Sequence, residues 1–115
     1  MSSIKQKKIS ELIREELSSV FQKKNIGIQK GGMVTITQVD LSPDLLEAII
    51  FVSIFNIKDV EKVLDGINEM SHELRGLLGN KIRNQVRRIP ELHFKLDDTL
   101  DNVFRLEEIF KKIKK

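Results

Sequence analysis

The feature that most narrows the fold of this chain is the junction Arg87-Arg88-Ile89-Pro90-Glu91-Leu92-His93-Phe94, where a helical pattern of apolar residues gives way to an alternating one across a proline. Proline has no backbone N–H and disfavours helical geometry at the residue before it, so a helix must stop by Ile89. Residues 92–97 then read as a strand, which needs earlier strands to pair with. Two candidates stand upstream, with room for two helices between them and Pro90. The predicted order is helix, strand, strand, helix, helix, strand, in an α+β domain with a three-stranded sheet covered by helices.

Each element has its own signal. Ile9, Leu12, Ile13, Leu17, Val20 and Phe21 recur at three- and four-residue steps and predict a helix over residues 3–23. Asn25 and Gly27 are expected to end it, and Gly31-Gly32 to precede a strand over 33–41 rich in β-formers. Ser42-Pro43-Asp44 predicts a short turn and hence an antiparallel partner over 46–55. That partner is apolar on both faces, which points to an interior position or to cover on each side. A helix over 59–70 buries Val60, Val63, Leu64 and Ile67.

The next helix, expected over 71–88, carries Leu74, Leu77, Leu78, Ile82 and Val86 on one stripe. Gly76 and Gly79 lie inside it at a cost of ~1 kcal/mol each relative to alanine. They permit close backbone approach, to RNA or to the sheet, and tight packing on the sheet is the plainer expectation. After the last strand, Asp98 or Thr99 caps a final helix with Leu100, Val103, Leu106, Ile109, Phe110 and Ile113 on its apolar face. Its acids come early and Lys111, Lys112, Lys114 and Lys115 late, which complements the helix dipole. The 115 residues fit one domain, 1–115, with one modest core.

Composition excludes several classes. With no cysteine there are no disulfides, thiol nucleophiles or cysteine metal sites. No apolar run approaches the ~20 residues of a membrane span, and the basic N-terminus lacks the apolar stretch of a secretory signal. A cytoplasmic protein is expected. His72 and His93 have no metal-ligand spacing with another strong ligand, and Asp97, Asp98 and Asp101 fit a helix start better than a cation site. No phosphate-binding glycine loop is present. Catalysis, metal and cofactor are therefore not expected.

Charge distribution says more than the net charge of +3. Residues 1–30 and 70–90 are each net +4, whereas residues 40–69 are net −5, so the molecule is polarised. Lys81, Arg83, Arg87 and Arg88 fall on the helix expected over 71–88, with Arg83 and Arg87 on one face opposite Leu78, Ile82 and Val86. Such a row can track phosphates. The chain has no Trp or Tyr on which bases would stack, so recognition of RNA shape and backbone is expected rather than of sequence.

Three stretches in fixed order then resemble the ribosome-binding factor A family. They are Val34-Thr35-Ile36-Thr37 with Val39-Asp40-Leu41-Ser42-Pro43-Asp44-Leu45, Ala48 and Phe51-Val52-Ser53; Leu74-Arg75-Gly76-Leu77-Leu78-Gly79; and Arg88-Ile89-Pro90-Glu91-Leu92-His93-Phe94 with Asp97-Asp98-Thr99-Leu100. The resemblance covers roughly residues 3–113. It implies a type II KH-like fold and a non-catalytic assembly factor, important in the cold, that binds the free 30S subunit and its 16S rRNA late in maturation. Family members often carry Ala-x-Gly between the two central helices; here Met70-Ser71-His72 stands there. The stretch from Gly79 to Pro90 is longer than the family's arrangement, which would add a partial turn to the basic helix.

The resulting RNA-contact set is Lys5, Lys7 and Lys8 at the N-terminus, Ser71 and His72 at the helix break, and Arg75, Lys81, Arg83, Arg87 and Arg88 beyond it. A monomer is expected. Two other readings stand beside this one: a KH-like RNA binder unrelated to ribosomes, and a protein-interaction module whose basic helix is only a solvated face.

Overall fold

The computed structural model describes residues 3–26, 28–29 and 32–97. The final helix, with its Asp98 or Thr99 cap, lies outside them, as do Gly27 and Gly31. Helix α1 (Ile4–Lys23) opens with a capping box. Gln6 N donates to Ser3 Oγ at 3.1 Å, and Ser3 N donates to Gln6 Oε1 at 2.8 Å. The same Gln6 side chain, buried, donates from Nε2 to Leu41 O at 3.0 Å and ties the start of the helix to the sheet. The helix ends on Asn25 at φ 57°, where Asn25 N donates to Gln22 O and Ile26 N to Phe21 O. This is a Schellman closure, and Phe21 and Ile26 are both buried beneath it.

The sheet is β1 (Ile28–Gln29), β2 (Gly32–Leu41), β3 (Glu47–Phe55) and β4 (Glu91–Leu96), in that spatial order. The three long strands are those expected; two-residue β1, too short to leave a periodic signal, extends the β2 edge antiparallel. β2 and β3 are antiparallel with an irregularity between Ile36 and Gln38. β4 runs parallel to β3, from Glu47 opposite Glu91 to Val52 opposite Leu96. β3 is therefore interior, one of the two readings its apolar faces allowed.

Two tight places shape β2 and its turn. A Cβ on Gly32 would lie 2.3 Å from Ile57 Cγ1 and 2.6 Å from Phe55 O, so only glycine fits there. At the turn, Asp44 Oδ1 accepts from Ser42 Oγ at 2.6 Å and from Leu46 N at 3.0 Å, while Leu45 takes φ 63°. These bonds, the Ser42 hydroxyl foremost, hold the Asp44 carboxyl below its ordinary pKa.

Helices α2 (Val60–Glu69) and α3 (Ser71–Ile82) share Met70 as their joint. Asp59 caps α2 by accepting from Lys62 N at 3.2 Å. All three described helices pack on one face of the sheet, over a core that includes Ile13, Leu17, Ile36, Ile50, Val52, Leu74, Leu78 and Phe94. β4 is an edge strand, and α2 guards it: Asn68 Nδ2 donates to Phe94 O at 3.0 Å while Phe94 N donates to Asn68 Oδ1 at 2.9 Å. Among the described residues no helix covers the opposite face, where Phe55 is 69% and Met33 53% exposed.

One expectation is corrected. α3 stops at Ile82, not at residue 88, so the basic stretch is not lengthened helix and Arg83 and Arg87 share no helical face. Arg83 caps the helix, a turn follows, and Gln85 N and Val86 N both donate to Ile82 O. Six more helical residues would carry the chain ~9 Å further from the start of β4. Instead it doubles back, and Val86 and Ile89 pack half-buried against the core. Their spacing from Ile82 continues the helical stripe, so periodicity could not distinguish the two courses. The glycines are corrected as well. Gly79 makes room for the returning chain, with Ile89 Cγ1 3.2 Å from where a Cβ would sit, and Gly76 faces open space; neither packs on the sheet.

Candidate nucleic-acid interface

α3 and the returning loop together build the basic surface. Its apolar positions Leu74, Leu78 and Ile82 are fully buried, which fixes the rotation of the helix and turns the other side outward. On that side His72, Gly76, Gly79, Asn80 and Arg83 line a shallow groove, closed along one flank by Arg75 and Ile89. His72 and Arg83 stand at its two ends with the glycines between them. The middle of the groove is thus bare backbone, where a sugar-phosphate chain can approach the helix closely. Gly76 has no packing reason to be glycine, since a Cβ there meets nothing within 4 Å.

Arg75 is partly committed. Its Nη2 donates to Ile89 O at 2.7 Å, and its Nε is shared between Ile89 O at 3.2 Å and Pro90 O at 3.1 Å. These bonds clamp the loop to α3 just before β4 begins. Arg88 lines an adjoining hollow with Arg75, Asp44, Glu47 and Glu91. Arg83, Arg87 and Arg88 are all exposed.

The other candidates lie apart from the groove or beside acids. Lys81 is 3.9 Å from Glu16 of α1, and Lys24, the residue that caps α1, pairs with Glu73 of α3. These contacts run α1 antiparallel to α3, so the start of α1 lies toward the end of α3 that carries the arginine loop. Lys5 and Lys8 are exposed on that first turn and a half. Lys7 lines a separate groove with Arg14, Thr37, Gln38 and Asp40, between α1 and β2. Ser71, half-buried, and exposed His72 open α3, whose N-terminus has no side-chain cap.

Sequence reasoning missed two groupings. The smooth glycine face of α3 could have been read from the four-residue step between His72 and Gly76 and the three-residue step on to Gly79. The exposed cluster of Glu47, Glu91 and His93, with ligand atoms within 4.8 Å of one another, could not, because it depends on the parallel pairing of β3 with β4. His93 Nε2 lies 3.2 Å from Glu47 Oε1. Among the described residues no helix is long and apolar enough to cross a membrane.

A half-covered sheet with a basic helix-and-loop edge defines the structural class, a small α+β protein with one arginine-rich surface. Sequence comparison is more specific. The profile of the ribosome-binding factor A family matches residues 5–110. Ribosome-binding factor A of Cytophaga hutchinsonii is 38% identical over 98% of this chain and 85% of its own length. That of Chloroherpeton thalassium is 36% identical over 96% and 87%. This chain therefore belongs to the ribosome-binding factor A family. The crystal structure of ribosome-binding factor A from Thermus thermophilus superposes with a TM-score of 0.66 at 19% identity, over 79% of this chain and 94% of that one. Thermus thermophilus coordinates fitted into a cryo-EM map of a 30S complex give 0.60 at 22% identity, over 75% and 88%.

Proposed function

We propose that this protein is a non-catalytic ribosome assembly factor that binds the free 30S subunit through 16S rRNA late in its maturation, acting as a cytoplasmic monomer with particular importance in the cold. The observation that carries this reading is the exposed run Arg83, Arg87, Arg88 set at the end of the bare glycine face of α3. Cations beside exposed backbone suit a folded RNA strand, whose phosphates need charge and whose ribose needs close approach. The fit of a Thermus thermophilus relative into a 30S complex supports the choice of target. Within the site, Arg83, Arg87 and Arg88 would meet phosphates, and His72 and Ser71 would offer hydrogen bonds at the opposite end. Arg75 would present its remaining N–H groups while holding the loop. Lys5 and Lys8 would extend the charge along the start of α1, with Lys7 reaching the neighbouring groove and Lys81 adding charge beside Glu16.

Co-sedimentation with ribosomal fractions at low and moderate salt tests the proposal. Selective association with free small subunits, weakened by salt, is the expected result. Absence from small subunits at both salt concentrations would refute it.

A further inference from the structure

The open face of the sheet, away from α1, α2 and α3, is acidic where β3 and β4 begin. Glu47 of β3 stands opposite Glu91 of β4, and His93 follows two residues on, opposite Ile49. Strand alternation puts Glu91 and His93 on one side of β4, while Leu92 and Phe94 are buried on the other. Glu47, Glu91 and His93 are all exposed, and each offers one ligand atom within 4.8 Å of the other two.

Two features set this cluster apart from an ordinary solvated edge. The first is its charge. Neighbouring strands lie ~4.8 Å apart, so carboxylates set opposite each other repel. The Lys and Arg ion pairs of the described residues are Arg14–Glu11, Lys24–Glu73 and Lys81–Glu16, none of which relieves Glu47 or Glu91. Arg88 and Lys95 line the hollows on either side of the cluster without closing an ion pair to it. The second feature is its geometry. His93 Nε2 lies 3.2 Å from Glu47 Oε1. Ligands held at about 2.0–2.1 Å in a tetrahedron around zinc stand ~3.3 Å from one another. The backbone beneath is also fixed: Glu91 N donates to Leu46 O at 2.9 Å, and Glu47 N to Ser42 Oγ at 3.1 Å. Closing the set around an ion asks only for side-chain rotation at Glu91.

We propose that Glu47, Glu91 and His93 bind one divalent transition-metal ion of the zinc type, with water completing the tetrahedron. An imidazole nitrogen beside two carboxylates suits zinc, whereas magnesium prefers oxygen ligands and keeps its waters. The ion neutralises the opposed carboxylates and ties β3 to β4 where the chain leaves the arginine loop. Sequence spacing hides the site, because Glu47 and His93 are 46 residues apart and meet only through the parallel register.

The test is a zinc chloride titration of the full chain, without an affinity tag and stripped of metal by a chelator. Calorimetry should give one ion per chain, and the His93 imidazole signals should shift in NMR while those of His72 stay. Magnesium at the same concentrations should move neither. Zinc should raise the Tm of the unaltered chain and leave that of His93→Ala in place. Loss of a direct ligand should cost at least as much as loss of an outer partner, so His93→Ala and Glu91→Gln should each weaken zinc binding by about tenfold or more. Both side chains are exposed, so both variants should fold. The proposal is overturned if zinc leaves His93 unshifted, shifts both histidines alike, or binds Glu91→Gln as tightly as the unaltered chain. Zinc-dependent dimerisation in sedimentation would also overturn it, since the ligands would then come from two copies.

Discussion

Arg75 and Gly76 are neighbours in sequence with opposite duties. Arg75 is half-buried and spends two of its nitrogens on the carbonyls of Ile89 and Pro90. Arg75→Met should therefore cost about 1–2 kcal/mol in urea denaturation, with the m-value unchanged, because charged donors to backbone contribute more than neutral ones. A Cβ on Gly76 would meet nothing within 4 Å, so Gly76→Ala should stabilise the fold by about 0.5–1 kcal/mol through helix propensity alone. Gly79→Ala should gain less, since its methyl meets Ile89 at 3.2 Å. If the glycine face receives RNA, Gly76→Ala should also weaken 30S binding while raising the melting temperature; a stabilised protein with unchanged binding would remove Gly76 from the interface. Asp44 offers a third test at this scale. Its carboxyl sits below its ordinary pKa because the ionised form accepts from Ser42 Oγ and Leu46 N. A group with a depressed folded pKa contributes stability above its unfolded pKa and loses it as pH falls through the folded value. An NMR titration should place Asp44 below an ordinary aspartate, and Ser42→Ala should move it back up.

Among the elements, β4 is held from two directions that differ in strength. Its inner edge pairs with β3 along its length, whereas its outer edge has Asn68 of α2 at Phe94. Asn68→Asp keeps the acceptor and loses the donor, setting a carboxylate against the Phe94 carbonyl; it should cost about 1–3 kcal/mol. Amide exchange should show the loss in β4 and α2 before β2. The existence of β4 was legible in the alternation after Pro90, but its guard was not, because Asn68 reads as an ordinary polar residue near a helix end. The same limit explains the error at α3. Ile82, Val86 and Ile89 follow helical spacing, and only the tertiary requirement that β4 lie parallel to β3 makes the chain turn at Ile82. α1 shows the reverse case. Its apolar stripe and its termination near Asn25 could both be read, because a Schellman closure is local and asparagine tolerates positive φ. At the candidate interface the arrangement of the arginines was not legible: they lie on a cap and a loop whose shape depends on Arg75.

At the scale of the whole molecule, the arginine loop and the acidic end of the open face adjoin, among the described residues, at the hollow that Arg88 lines with Asp44, Glu47 and Glu91. If the arginine loop meets RNA phosphates, that binding should weaken with salt. Each phosphate contact contributes about 0.7–0.9 to the slope of log affinity against log salt, so Arg83→Ala, Arg87→Ala and Arg88→Ala together should flatten that slope by roughly two. The melting temperature should barely move, since exposed charges contribute little to stability. An unchanged slope would place the contacts elsewhere. The parallel register of β3 with β4 also sets an order of events during synthesis. Glu47 waits for Glu91, and both the Arg75 clamp and the Asn68 bridge need residues at or beyond Ile89. A nascent chain that has emerged only as far as Arg88 already displays every arginine of the loop but has nothing to hold them in place. A chain interrupted there would carry its arginines on an unclamped loop, so whatever shape this basic surface offers a partner arrives only with β4.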